Sequence, residues 1–172
     1  MEFRGYQEES MATDLDLLRD LYKYNSRARA RYLTAIWNLS LRERYRDLGA
    51  SFPSLVDIFL HVLDAYRLWF DEVFAGGPEP QWYPLGQRFT PAEARREMRA
   101  IDRRVLKVVS SLRPADLNRR LPLPKRWGGH GRISVRVLLV HMAEEELQHR
   151  GEMNALLWQL GHDPPVIGFD DD

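Results

Sequence analysis

Four stretches of the sequence repeat their apolar residues at helical spacing, each 20 or more residues long and the last three closed by glycine or proline. That pattern leaves little room for anything but a bundle of helices. The first stripe holds Leu18, Leu21, Tyr22, Ala28, Tyr32 and Ile36, with Thr13 and Asp14 offering capping oxygens at its start. A charged connector, Ser40 to Ala50, has room for a short helical turn. Ser51-Phe-Pro-Ser54 then opens a second helix with the stripe Leu55, Ile58, Phe59, Val62, Tyr66, Trp69, Phe70 and Val73, stopped by Gly76-Gly77-Pro78. Thr90-Pro91-Ala92-Glu93 reads as a capping box for a third helix through Met98, Ile101, Val105, Val108 and Leu112. Between 118 and 133, Leu121-Pro-Leu-Pro124 and Gly128-Gly-His-Gly131 indicate a loop or short hairpin. Ser134 caps a fourth helix that reaches Leu160 and ends at Gly161. The expectation is an all-α, four-helix bundle with long crossover loops: residues 1–12 as a flexible N-terminal arm, with Met11 as a second candidate start, and 13–172 as one domain.

Composition narrows the function. The 172 residues are 44% hydrophobic and 29% charged, enough for a packed core and a wetted surface. Twenty-five basic side chains balance 25 acidic ones, so the basic excess of a nucleic-acid-coating protein is absent. On the third helix Arg95, Arg96, Arg103 and Arg104 alternate with Glu93, Glu97 and Asp102, as on an ordinary solvated face. With no cysteine, the chain has neither disulfides nor a thiol nucleophile of its own, which suits a reducing cytoplasm. No apolar run approaches a membrane span, and the polar start lacks a signal-peptide segment. The expected setting is cytoplasmic, with no membrane and no nucleic-acid partner.

The anomaly lies in the fourth helix. Its inward row reads Leu138, His141, Met142, Glu145, His149, Glu152, Met153, Leu156 and Leu160, placing imidazoles and carboxylates where apolar residues belong. On the second helix His61 falls in the row Ile58, His61, Ala65, Leu68. Glu145 and His149, four apart, project to one side and can share an ion with His61. Such a donor set suits Zn²⁺ or Ni²⁺, and also Fe²⁺ or Mn²⁺, and three protein ligands leave a fourth position open. The same residues can equally form a buried network with arginines, and spacing alone leaves both readings standing. A di-iron carboxylate site is excluded, because Glu146-x-x-His149 has no second Glu-x-x-His.

His141-Met-Ala-Glu-Glu-Glu145-Leu-Gln-His149-Arg-Gly-Glu-Met153, the run Leu-Tyr-Lys-Tyr-Asn25-Ser-Arg-Ala-Arg-Ala and the ending Leu-Trp-Gln-Leu-Gly161-His-Asp-Pro-Pro165 resemble the DinB/YfiT-like superfamily. This grouping contains the DNA-damage-inducible DinB family and is related to bacillithiol transferases and mycothiol-dependent maleylpyruvate isomerases. The resemblance spans residues 14–168. It implies a four-helix bundle, commonly a homodimer, with a divalent metal at the floor of a cleft. The usual three-histidine site maps to His61, Glu145 and His149, with Glu145 replacing the middle histidine, as in the mycothiol-dependent isomerases. Around this triad, His141 is a candidate outer contact or alternative ligand. Glu152, or Asp57 and Asp64, are candidate acceptors for the histidines' remaining N–H groups.

The resemblance further implies a metal-dependent transferase that uses a low-molecular-weight thiol on a small-molecule substrate. Arg119, Arg120, Lys125 and Arg126 are candidates for the thiol's carboxylates, and Trp82, Tyr83 and Trp127 for a cleft rim. The alternatives are a non-catalytic metal- or ligand-binding stress-response protein, and a hydrolase with Glu144 or Glu146 as base. The sequence names no catalytic residue beyond the metal ligands.

Overall fold

Thr90 and Ser134 open helices where their hydroxyls predict, each accepting a backbone N–H three residues on. The computed structural model describes residues 2–127 and 131–168, with side chains from residue 14 onward. Its helices are α1 (Glu2–Asn38), the single turn α2 (Leu41–Arg44), α3 (Leu55–Tyr66), α4 (Pro91–Ser111) and α5 (Val135–Gln159). The four long helices form the bundle: α1 packs chiefly on α4 and α3 on α5, with further contacts from α1 to α5 and from α3 to α4. Strands β1 (Arg120–Pro122) and β2 (Arg132–Ser134) pair antiparallel as the small hairpin before α5. Gly128, Gly129 and His130, between them, lie outside the described residues. Among the described residues no helix is long and apolar enough to cross a membrane.

Three boundaries differ from the sequence reading. The α1 backbone is helical from Glu2, well ahead of Thr13 and Asp14. The cap of α3 is Ser54, after Pro53, rather than Ser51: Ser54 accepts the Asp57 N–H, while the Ser51 hydroxyl turns to α5. Beyond Tyr66, α3 continues as a wider π-helical segment, Arg67–Phe74, in which the Ala75 N–H donates to the Phe70 carbonyl five residues back. The turn that ends it needs a glycine at 77, because a Cβ there would stand 2.6 Å from the Asp71 carbonyl oxygen. Asp57 and Asp64, offered by spacing as partners of His61, instead hold the 76–89 loop. They accept the backbone N–H groups of Gly86 at 2.7 Å and Tyr83 at 2.8 Å.

The bundle is organised around a buried cation. Arg29 of α1 lies within the core; its guanidinium stands 4.2 Å over the Tyr66 ring of α3. It donates to Asp102 of α4 and to Glu146 of α5, and the Tyr66 hydroxyl donates to the same Glu146 oxygen at 2.6 Å. One charge therefore touches all four long helices. Burial works against the Arg29 cation, but Glu146, Tyr66 and Asp102 outweigh it and hold the proton more firmly than usual. Burial pushes the Glu146 carboxyl up, with Arg29 pulling it back. Beside this group, the buried Arg150 donates to Asn25 at 3.0 Å.

This arrangement corrects the phase assigned to α5. Its buried row is Val135, Leu138, Leu139, Met142, Ala143, Glu146, His149, Arg150, Met153, Leu156 and Leu157. Glu146, expected off the inward row, is at the centre of the core, and Glu145 lies at the row's edge. The helix carries apolar residues on every side, so its periodicity does not single out one face.

Two predictions follow from this packing. Arg29→Ala leaves Glu146 and Asp102 buried without their counter-charge, and is expected to lower stability by about 3–5 kcal/mol in denaturant unfolding. At the surface, hydrogen bonds from Ser40, then from His162, lower the Glu43 carboxyl from 4.5 to about 2. A depressed carboxylate stabilises the fold above its unfolded value and loses that contribution as pH falls through its folded value. Glu43→Gln should therefore flatten the acid side of the stability profile between pH 4.5 and 2, with little change in pH sensitivity above it.

Candidate metal centre

Where α3 crosses α5, three donor atoms face one another. His61 Nε2 is 3.3 Å from Glu145 Oε1, and His149 Nε2 is 3.2 Å from the same oxygen. The three ligand atoms all lie within 4.8 Å of one another. The i, i+4 step brings Glu145 and His149 to one side of α5, and the helix crossing supplies His61. The group has a closed side and an open one: the His149 side chain is 5% exposed, whereas His61 and Glu145 keep 25% and 24%.

The surroundings fix the rings. His149 Nδ1 donates to Glu152 Oε2 at 3.0 Å, and the Ser51 hydroxyl donates to that same carboxylate oxygen at 2.5 Å. With Nδ1 engaged by Glu152, Nε2 is the ring nitrogen that His149 turns toward Glu145. The Phe52 ring stacks on His61 at 4.2 Å and meets His149 edge-on at 5.9 Å. Burial lowers the His61 pKa, opposed by Glu145, so the ring favours its neutral, ligating form. For Glu145, burial raises the carboxyl, but hydrogen bonds from His61 and His149 outweigh it and the net is a lowered value, an ionised carboxylate.

The donor chemistry fits a cation. His61 and His149 both turn Nε2 toward one carboxylate oxygen, a convergence of three donor atoms that either bridging protons or a metal ion can satisfy. In tetrahedral zinc with bonds near 2.0–2.1 Å, ligand atoms stand about 3.4 Å apart, close to the two distances from Glu145. Glu152→Ala should weaken metal binding by about 10–100-fold without abolishing it, measured by competition with a chromogenic chelator.

Other candidates are placed elsewhere. His141 stands one turn before Glu145, with Nδ1 3.7 Å from Glu144 and its ring edge-on to Trp69 at 4.9 Å, outside the converging donors. Trp127 packs on Trp69 at 5.3 Å, whereas Trp82 and Tyr83 line a separate cavity of about 390 Å³ beside α4. Of the loop cations, Arg126 is paired with Glu72 and Glu79, Arg119 lies over the Phe74 ring and Arg120 donates to the Arg132 carbonyl. Ser51 and Phe52 went unread in the sequence as parts of the site. No spacing rule reaches from a loop to a helix about 100 residues away.

A left-open histidine–carboxylate triad between two helices of a four-helix bundle defines a class of candidate divalent-metal proteins. The chain belongs to the DinB family, whose pattern its residues 11–171 match. It is 23% identical over 152 residues to Protein DinB of Bacillus subtilis (strain 168), covering 86% of this chain and 88% of that one. Its fold resembles the crystal structure of a DinB-like protein from Bacillus cereus ATCC 10987, with a TM-score of 0.66 at 16% identity, covering 86% of this chain and 93% of that one. A DinB-like protein of Bacillus subtilis, YjoA, gives a TM-score of 0.61 at 16% identity, with 85% and 96% covered.

Proposed function

We propose that this DinB-family protein is a divalent-metal-dependent transferase that joins a low-molecular-weight thiol to a small electrophilic substrate. The observation that carries the reading is the convergence of His61, Glu145 and His149 on one point with an accessible side. A zinc or nickel ion held there would supply the Lewis acidity that lets a coordinated thiol or water lose its proton near neutral pH.

The chain's own residues divide the remaining work. His149, oriented by Glu152 and Ser51, and His61, held by Phe52, provide nitrogen donors. Glu145 contributes negative charge, which moderates the acidity of the ion relative to a three-histidine set. Because the protein has no cysteine, a sulfur nucleophile must arrive as a co-substrate. Hydrolysis finds less support: of its two candidate bases, Glu146 is engaged with Arg29 and Tyr66 in the core, and Glu144 lies beside His141.

The test is metal content per chain by plasma mass spectrometry, beside His61→Ala, Glu145→Ala and His149→Ala. About one zinc or nickel per chain is expected in the wild type, and loss of it in each variant. Consumption of bacillithiol or a similar thiol with a model electrophile should follow metal occupancy. A wild type that stays empty, with no thermal stabilisation by added Zn²⁺, Ni²⁺ or Mn²⁺, rejects the reading.

A further inference from the structure

The acidic residues that alternate with arginines in the sequence of α4 do not share their face. Asp102 turns into the core to Arg29, Glu93 closes the capping box with Thr90, and Glu97 accepts the Tyr83 hydroxyl at 3.3 Å. The exposed charged residues of α4 are all basic: Arg95, Arg96, Arg99, Arg103, Arg104 and Lys107. Arg104 pairs with Asp71 at 2.9 Å, and Arg96 approaches Glu97 at 3.5 Å. Among the described residues the other four have no carboxylate partner. Arg95, Arg99, Arg103 and Lys107 stand at i, i+4, i+8 and i+12, a row about 18 Å long in which neighbouring like charges repel. A chain with 25 basic and 25 acidic side chains has acids enough to neutralise such a row and places them elsewhere. The balance of charge, which suggested no nucleic-acid partner, is a sum over the whole surface and does not describe this face.

The row borders two depressions. One of about 350 Å³ lies among Arg95, Arg96, Arg99 and Arg103. The other, of about 390 Å³, brings in Arg67, Arg88 and the rings of Trp82 and Tyr83, and Arg96 lines both. Trp82 is 42% exposed, on a loop that is firmly held. Its neighbour Tyr83 donates a backbone N–H to Asp64, carries the Arg67 guanidinium 5.0 Å over its ring, and meets Phe89 edge-on at 5.3 Å.

We propose that this face binds single-stranded nucleic acid, with phosphates along the Arg95–Lys107 row and one base against Trp82. Guanidinium groups match phosphate oxygens in pairs, and a file of cations beside an exposed aromatic ring holds single strands without reading their sequence. An anionic membrane fits less well. The apolar side of α4, with Met98, Ile101, Val105 and Val109, is buried in the bundle, and among its described residues the helix exposes no large apolar group to enter a lipid interface. No residue of the metal triad lines either depression, so nucleic-acid binding and metal binding are separable.

The test is fluorescence anisotropy with labelled oligothymidine and oligouridine of about 20 nucleotides, which tells DNA from RNA. At low salt the wild type should bind with a dissociation constant on the order of 10 µM, and log affinity should fall against log salt with a slope of about −3, the value for four phosphate contacts on a single strand. Replacing Arg95, Arg99 and Arg103 together by Gln should bring that slope to about −1 and weaken binding on the order of tenfold or more. These variants should melt no lower than the wild type, since the change relieves like-charge repulsion. Arg104→Gln, which removes a cation already paired with Asp71, should leave the slope unchanged. Trp82→Ala should weaken binding on the order of tenfold at an unchanged slope. No binding of either oligonucleotide at about 100 µM protein in low salt overturns the proposal. Binding of phosphatidylserine vesicles but of neither oligonucleotide does so too, as does an affinity that the triple variant leaves intact. A duplex that binds as tightly as the single strand, with Trp82→Ala silent, overturns the single-stranded assignment.

Discussion

The buried guanidinium of Arg29 is the interaction on which the rest of this structure depends. It faces carboxylates from α4 and α5 and a tyrosine from α3, so its charge is satisfied only when all four long helices are in register. A buried ion pair is weak evidence of net stability, because desolvation offsets much of the attraction. Its consequence here is specificity: an apolar α5 could rotate or slide against its neighbours at small cost, whereas Glu146 fits only opposite Arg29 and Tyr66.

That register places the candidate metal centre. Glu145 and Glu146 are adjacent in the sequence and separated by about 100° around the helix. The first points to the boundary of α3 and α5, the second to the bundle centre. Fixing Glu146 against Arg29 therefore fixes Glu145 beside His61, and one turn later His149 beside both. The candidate site lies at the rim of a charged core, with its closed side built by Glu152, Ser51 and Phe52 and its open side formed by the half-exposed faces of His61 and Glu145.

The network with arginines that spacing allowed for His61, Glu145 and His149 is made instead by residues outside the row read as inward. His61, Glu145 and His149 gather as a set able to hold a metal ion, while Glu146 and Arg150 belong to a buried network with arginines and amides. The signal for the network was present in α1, where Asn25 and Arg29 interrupt the apolar stripe between Tyr22 and Tyr32. It was not decisive, since a long arginine near an apolar stripe commonly reaches solvent. His141 illustrates the converse. Its spacing allied it to the triad, yet contact with Trp69 and Glu144 holds it a turn away.

The sequence by itself determined the four long helices, the caps at Thr90 and Ser134, the break before α5, and the three residue types that can share an ion. These follow from local rules: periodicity, capping hydroxyls, and the i, i+4 step on one helix. Only the tertiary structure decided the phase of α5, the partners of Asp57 and Asp64, and the enclosure of the His149–Glu152 pair by Ser51 and Phe52. Each depends on contacts between segments far apart in the chain. For α5 the reason is sharper still, since a helix apolar on all sides carries no record of which face is inside until a neighbouring charge selects it.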